Sequence, residues 1–193
     1  MILFREFYEE NTLTVARRLL GQYLVRQTEQ GITCGRIVET EAYLGSADPA
    51  AHSYRGKTPR VNVQYGPAGH AYIYLIYGMY FCMNITTGPL GAPEVVLLRA
   101  LEPVSGIDLM RRRRKTDALK NLCSGPGKLC MAMDIDRSLY GCDLCSCASG
   151  LYLMPGDEPE EIEATPRIGI DYAGAAAAFP WRFTVRGSQF LSK

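Results

Sequence analysis

The stretch Ile37–His52, IVETEAYLGSADPAAH, is the most informative part of the chain. It begins as an apolar run and then places Glu39 and Glu41 two residues apart. Residues two apart in a β-strand lie on the same face, so both carboxylates and Tyr43 are predicted to share one face. His52 follows after a loop of small residues. Functional groups concentrate where a strand passes into a loop, which favours a catalytic rim; an edge strand with solvated glutamates is the alternative.

Length and composition predict a single globular domain that spans residues 1–193. Hydrophobic residues make up 47% of the chain, which is ordinary for a protein with one buried core. No apolar run has the length of a membrane span, and the first residues, MILFREFYEE, lack the layout of a signal peptide. We therefore expect a soluble, intracellular protein with no membrane contact.

The cysteines and charged residues leave two alternatives open. Cys142, Cys145 and Cys147 form a C-x-x-C-x-C pattern that could hold zinc. A second such pair is missing and the chain has only 2 histidines, so we expect reduced, packed thiols and no metal. Basic residues cluster at 111–115, and acidic residues at 157–163. A basic face for nucleic acid is therefore permitted, with a solvated helix end as the alternative.

The order of elements predicts an α+β fold built on a curved, mainly antiparallel sheet. Strands outnumber helices, and no regular βαβ alternation occurs. We predict strands at 22–28, 32–43, 71–77, 79–87, 94–101, 151–154, 167–170 and 181–185. Helices are predicted at 4–21, with Thr12 as a cap, and at 107–115 and 125–133. The segments 45–69 and 155–165 are predicted to be loops, the second of them acidic.

Tyrosines are concentrated in one predicted hairpin. The chain has 12 tyrosines, and Tyr72, Tyr74, Tyr77 and Tyr80 fall within a short stretch around Gly78. Strand packing is one explanation, because tyrosine favours sheets. However, an aromatic residue at the bend of a hairpin is poorly placed for a core. It is well placed to enter a stack of nucleic-acid bases.

Several motifs together resemble the alkyladenine (3-methyladenine) DNA glycosylase family. In chain order they are VETEAYLG with AAHS, AYIYLIYGMYFCMNI, VLLRALEP, LCSGPGKLC, RIGIDYAG and RFTVRGS, and they extend over almost the entire chain. No single motif would be enough to identify the family. The resemblance implies a single mixed domain around a curved antiparallel sheet, with a protruding hairpin that inserts into DNA.

The resemblance also implies an activity. The family is monofunctional and excises alkylated or deaminated purines, of the 3-methyladenine, 7-methylguanine and hypoxanthine class, from duplex DNA. Water attacks the glycosidic carbon of a flipped nucleotide and leaves an abasic site, the first step of base excision repair. The implied partner is double-stranded DNA with a damaged purine, no cofactor is implied, and we expect a monomer. Its compartment would be the cytoplasm or nucleoid in bacteria and the nucleus in eukaryotes.

Individual residues receive roles from the same resemblance. Glu41 resembles the general base that activates water, and Arg99 resembles its partner in holding that water. Tyr77 resembles the side chain that intercalates into the duplex. The implied base pocket consists of Tyr43, His52 and Tyr74 as walls, and Asn84 as the residue that excludes the exocyclic amino group of guanine.

The chain departs from the family pattern at some positions, so the lesion preference stays open. Val61, Asn62, Gln64 and Tyr65 replace usual residues of the pocket approach, and the cysteines at 142–147 are atypical. Three other functions remain compatible with the sequence. They are a non-catalytic binder of damaged or bent DNA, a different hydrolase that uses Glu39 and Glu41 as a pair, and a thiol or metal protein.

Overall fold

The computed structural model describes residues 1–192 and confirms the α+β class. Its centre is an open eight-stranded antiparallel sheet with strand order β3-β4-β5-β2-β1-β6, and β8 pairs with both β2 and β7. The strands are β1 Tyr23–Thr28, β2 Gly31–Tyr43, β3 Ala71–Ile76, β4 Tyr80–Thr87, β5 Glu94–Ser105, β6 Leu151–Met154, β7 Ile162–Thr165 and β8 Arg182–Val185.

Within residues 1–192, four α-helices and five 3-10 turns flank the sheet. The helices are α1 Arg5–Tyr8, α2 Thr12–Arg18, α3 Ile107–Arg114 and α4 Pro126–Met133. The 3-10 turns are Gly45–Ala47, Pro59–Tyr65, Leu119–Asn121, Arg137–Leu139 and Asp171–Ala178. Among residues 1–192, no helix has both the length and the apolar character needed to cross a membrane.

The predicted helix at 4–21 is two helices, and its cap was assigned to the wrong residue. Asn11 caps α2, and its side chain accepts the backbone N–H of Leu13 at 3.0 Å. Thr12 is the first helical residue. Its hydroxyl instead lies 2.9 Å from that of Thr87 and donates to Glu94, so it fastens the helix to the sheet. Neighbouring residues with similar capping chemistry are hard to separate from sequence.

Strand β2 is central and buried on both faces, which excludes the edge-strand alternative. It lies between β1 and β5, and every residue from 37 to 42 is buried. One face packs under α2, where the Thr40 hydroxyl donates to the Ala16 carbonyl at 2.8 Å. Around Glu39 the register with β5 shifts, as in a β-bulge. Such irregularities re-aim side chains locally.

Two predictions for the last third of the chain are wrong. Residues 167–170 do not form a strand, because Arg167 is buried in side-chain contacts and the Ile168 N–H donates to a side chain rather than to a neighbouring strand. The acidic loop at 155–165 ends in β7, which pairs with β8. The loop at 45–69 is confirmed as irregular, apart from two 3-10 turns.

All seven cysteines are free thiols. Burial raises the pKa of Cys142, and raises that of Cys145 to about 11. Metal ligation needs thiolates, so these surroundings disfavour it. Within residues 1–192, no group of three His, Cys, Asp or Glu side chains is arranged to hold a metal ion.

Candidate active site

Glu39 and Glu41 share one arginine at the centre of the sheet. Arg99, on the neighbouring β5, donates from Nε to Glu39 at 3.0 Å and from Nη1 to Glu41 at 3.2 Å. Both carboxylates are completely buried. Burial alone would lower the pKa of Arg99, but the charges of Glu41 and Glu39 outweigh it and raise that pKa. A permanent positive charge therefore lies between the two glutamates and offsets their repulsion.

Glu39 is fully engaged in holding the structure. Arg182 Nε donates to its Oε1 at 2.7 Å. The backbone N–H and hydroxyl of Ser192 donate to it at 2.6 and 2.7 Å. Neither Arg182 nor Ser192 lines the large cavity described below. Glu39 thus ties β2 to β8 and to the end of the described chain.

Besides Arg99, Glu41 has two partners that Glu39 lacks. The Tyr43 hydroxyl donates to Oε2 at 2.9 Å, and the Ile168 N–H donates to Oε1 at 2.8 Å. Tyr43, Ile168 and Arg99 all line the cavity. Glu41 itself lies directly behind them.

The cavity has a volume of about 500 Å³, within the range of small-molecule sites. It lies between the β3–β4 hairpin, the loop before it and the segment around Ile168. Its lining residues are Tyr43, Ala50, Ala51, His52, Arg60, Gln64, Tyr72, Tyr74, Ile76, Tyr77, Tyr80, Cys82, Asn84, Val95, Leu97, Arg99, Pro126, Gly127, Ile168, Gly169, Ile170 and Tyr172. Six of these are tyrosines, so the wall suits a flat aromatic ring.

One wall consists of neutral aromatic side chains. His52 Nδ1 lies 2.9 Å from the Tyr72 hydroxyl, and the His52 and Tyr74 rings pack edge to face at 4.6 Å. Although part of His52 is exposed, burial and then the charge of Arg60 lower its pKa to about 4. Burial raises the pKa of Tyr72 to about 12 and also raises that of Tyr74. Near neutral pH all three rings are therefore uncharged.

Asn84 lies on the floor of the cavity in a fixed orientation. It is paired with Tyr72 across β3 and β4, and only 3% of its surface is exposed. Its Nδ2 donates to the Tyr72 carbonyl at 3.1 Å. The strand partner therefore holds the amide in place, so it can act as a rigid obstacle.

The tip of the β3–β4 hairpin projects an exposed tyrosine. Tyr77 and Gly78 both have positive φ, 53° and 70°, and the Met79 N–H donates to the Ile76 carbonyl at 3.2 Å. This is the geometry of a two-residue type I′ turn, in which Asn-Gly is favoured and tyrosine is unusual. Tyr77 is 82% exposed, which excludes the strand-packing alternative for this residue. A strained, exposed aromatic side chain points to function.

The structure brings the seven predicted site residues together around this cavity, with Glu41 just behind its wall. Sequence reasoning missed others, among them Ile168, Arg167 and Asp48. It also left Gln64 without a role. Gln64 lines the cavity, is 1% exposed, and its Oε1 has no hydrogen-bond partner within residues 1–192. The only feature of the sequence that pointed to Gln64 was its departure from the family pattern.

Comparisons with known proteins show which class of protein has this site. The model of the family described as methylpurine-DNA glycosylase matches residues 6–189. The protein is therefore an enzyme of the DNA glycosylase class, a hydrolase of N-glycosyl bonds that acts on DNA. More narrowly, the chain belongs to the methylpurine-DNA glycosylase family. The predicted resemblance and enzyme class are confirmed.

Similar proteins occur in archaea and bacteria. A relative from Methanocella arvoryzae is 51% identical over 194 residues, covering 100% of this chain and 96% of its own. A relative from Bacillus cereus is 50% identical, covering 97% of each chain. One from Clostridium acetobutylicum is 46% identical, covering 100% of this chain and 98% of its own. Each carries the name "Putative 3-methyladenine DNA glycosylase".

Proposed function

We propose that this glycosylase excises alkylated or deaminated purines from duplex DNA, as a monofunctional enzyme that flips its target nucleotide. One arrangement carries the proposal: a purine-sized aromatic cavity has Glu41 and Arg99 at its back and Tyr77 at its rim. A base inside a duplex cannot be attacked at its sugar, so it must first rotate into such a cavity.

The proposed chemistry is a displacement by water. A water oxygen bonds to C1′, the bond from C1′ to the purine nitrogen breaks, and the bonding electrons leave with the base. Glu41 takes a proton from the attacking water, and its negative charge stabilises the oxocarbenium-like sugar. Arg99 holds Glu41 and the water. An alkylated, cationic purine leaves as a neutral base, so modest assistance suffices. A deaminated purine is neutral before cleavage, so it leaves as an anion and takes up a proton from solvent.

The aromatic wall suits the same substrates. The neutral rings of Tyr43, Tyr74 and His52 offer stacking surfaces to a flipped purine. A cationic base gains cation–π attraction from a tyrosine face, about 0.5–2 kcal/mol per contact. Arg60 opposes this selectivity, because its guanidinium lies 5.1 Å from the Tyr74 ring. The wall therefore favours cationic purines without excluding neutral ones.

Release of free base from a methylated duplex in EDTA tests the proposal. We expect free 3-methyladenine or 7-methylguanine and an abasic strand that stays unbroken until treated with alkali. A non-catalytic binder would shift the duplex in a gel and release nothing. A metal-dependent enzyme would be inactive in EDTA. Strand cleavage without alkali would contradict the monofunctional reaction.

Asn84 is proposed to exclude guanine through its 2-amino group. Asn84→Ala should raise the excision of guanine relative to hypoxanthine about 10-fold, because the two bases differ only in that group and the fixed amide no longer obstructs it. Single-turnover rates on duplexes with one guanine or one hypoxanthine measure the ratio. An unchanged ratio in a variant with normal hypoxanthine excision would remove this role from Asn84.

A further inference from the structure

Arg167 is a buried arginine outside the reaction described above. Its side chain and that of Asp48 have no exposed surface. Nη1 and Nη2 donate to the two carboxylate oxygens of Asp48 at 2.5 and 2.9 Å. Nη1 also donates to the Ala42 carbonyl, near the end of β2, at 2.9 Å. These bonds hold the guanidinium plane in one orientation.

The same guanidinium is in contact with two aromatic rings. Its central carbon is 4.7 Å from the centre of the Tyr43 ring and 4.9 Å from that of Trp181. Tyr43 forms part of the cavity wall, and its hydroxyl donates to Glu41. Contact with a guanidinium held in one orientation restrains the Tyr43 ring. It thereby restrains the hydroxyl that donates to Glu41 as well.

Arg167 also determines the position of the next peptide group. The Ile168 N–H donates to the other oxygen of Glu41 at 2.8 Å. Residues 167–170 are outside the sheet, so no strand ladder holds this N–H in place. The anchored side chain of Arg167 does so instead. Two of the three groups that hold the Glu41 carboxylate therefore depend on Arg167.

Asp48 connects the Arg167 side chain to the loop that carries His52. Its two oxygens accept the backbone N–H groups of Leu44 at 3.2 Å and Ala50 at 3.0 Å. Ala50 and His52 both line the cavity. One buried ion pair thus joins the catalytic carboxylate, the Tyr43 wall and the loop.

Stability alone is a weak explanation for such a pair. Desolvation of two charges offsets much of their attraction, and well-packed apolar replacements are often as stable. We propose that Arg167, held by Asp48, is a positioning residue: it orients Glu41 and the Tyr43 wall for excision without touching the base. This inference rests on the proposed function.

Arg167→Met tests it. We expect the single-turnover excision rate to fall on the order of 10-fold, because the reacting groups lose their alignment. Affinity for a duplex with an abasic site should change less than about twofold, since that DNA has no base to place against Tyr43. Both are measured below the temperature at which melting begins, so that only folded protein is compared.

Arg36→Met is the control, because it also removes an arginine from an ion pair with a carboxylate. Arg36 lies on β2, the strand of Glu41, and pairs with Glu102 of β5 at 2.7 Å, but it is away from the cavity and its ion pair is partly exposed. We expect its excision rate to stay at the wild-type value. An equal loss in both variants would show a general effect of losing an arginine–carboxylate ion pair, and would overturn the inference.

Arg167→Lys serves if the methionine variant does not fold. Lysine keeps a charge beside Asp48 but lacks a planar group that can bind two oxygens and stack on aromatic rings. We expect a slower rate in folded protein, and a wild-type rate in either Arg167 variant overturns the inference. If the wild-type protein releases no base at all, the proposed function fails and the inference fails with it. Normal wild-type release with unaffected variants rejects the inference alone.

Discussion

Glu41→Gln is expected to lower the single-turnover rate of base excision by ~10²–10⁴-fold, the usual contribution of a general base. Glutamine keeps the shape of the side chain and one oxygen for the Ile168 N–H. Glutamine cannot take a proton from water. If its oxygen faces Ile168, its NH2 group faces Arg99, and these two donors cannot form a hydrogen bond with each other. The rate is measured with excess enzyme on a duplex that carries one lesion. Lesion binding should change much less, because Glu41 lies behind the cavity wall.

Glu39→Gln is the matched control for this prediction. Glu39 has the same burial, lies on the same face of β2 and shares Arg99, but its other partners are Arg182 and Ser192. We expect a lower melting temperature and a much smaller loss of rate. A larger kinetic loss at Glu39 than at Glu41 would reverse the two assignments. A near-normal rate in Glu41→Gln would contradict the assignment of Glu41 as the general base.

Features that depend on near neighbours in sequence could be predicted. The two-residue spacing of Glu39, Glu41 and Tyr43 correctly gave one shared face, since alternation in a strand is a local property. The hairpin around Gly78 was likewise correct, because a tight turn between two apolar runs is specified by a few residues. The sequence therefore predicted both the strand behind the cavity and the hairpin at its rim.

Contacts between distant residues could not be predicted from these patterns. Arg167 lies 119 residues from Asp48, and Ser192 lies 153 from Glu39. Neither pair leaves a periodic signal. The apolar residues around Arg167 predicted a strand, but the buried ion pair with Asp48 determines a different path for the backbone. Glu41 therefore has a partner, Ile168, that only the folded structure shows.

Tyr77 gives the second large expected effect. Tyr77→Ala should slow excision from fully paired DNA roughly 5- to 150-fold, since a ring that replaces the stacking of a flipped base contributes about 1–3 kcal/mol. A lesion opposite a gap has already lost part of that stacking, so its excision should depend less on Tyr77. The melting temperature should not fall, because the side chain is 82% exposed and packs against little of the protein.

Two further variants separate intercalation from other effects of the hairpin tip. Met79→Ala removes a neighbouring apolar side chain that is 65% exposed, and we expect a smaller loss on paired DNA. Tyr77→Asn places Asn-Gly in a type I′ turn, the pair that this turn favours, so the fold should be at least as stable as the wild type. Its excision from paired DNA should nevertheless fall as in Tyr77→Ala. If Tyr77→Asn were stable and fully active, the aromatic ring would have no part in opening the duplex. Equal losses on paired and gapped DNA would place its role in the base pocket.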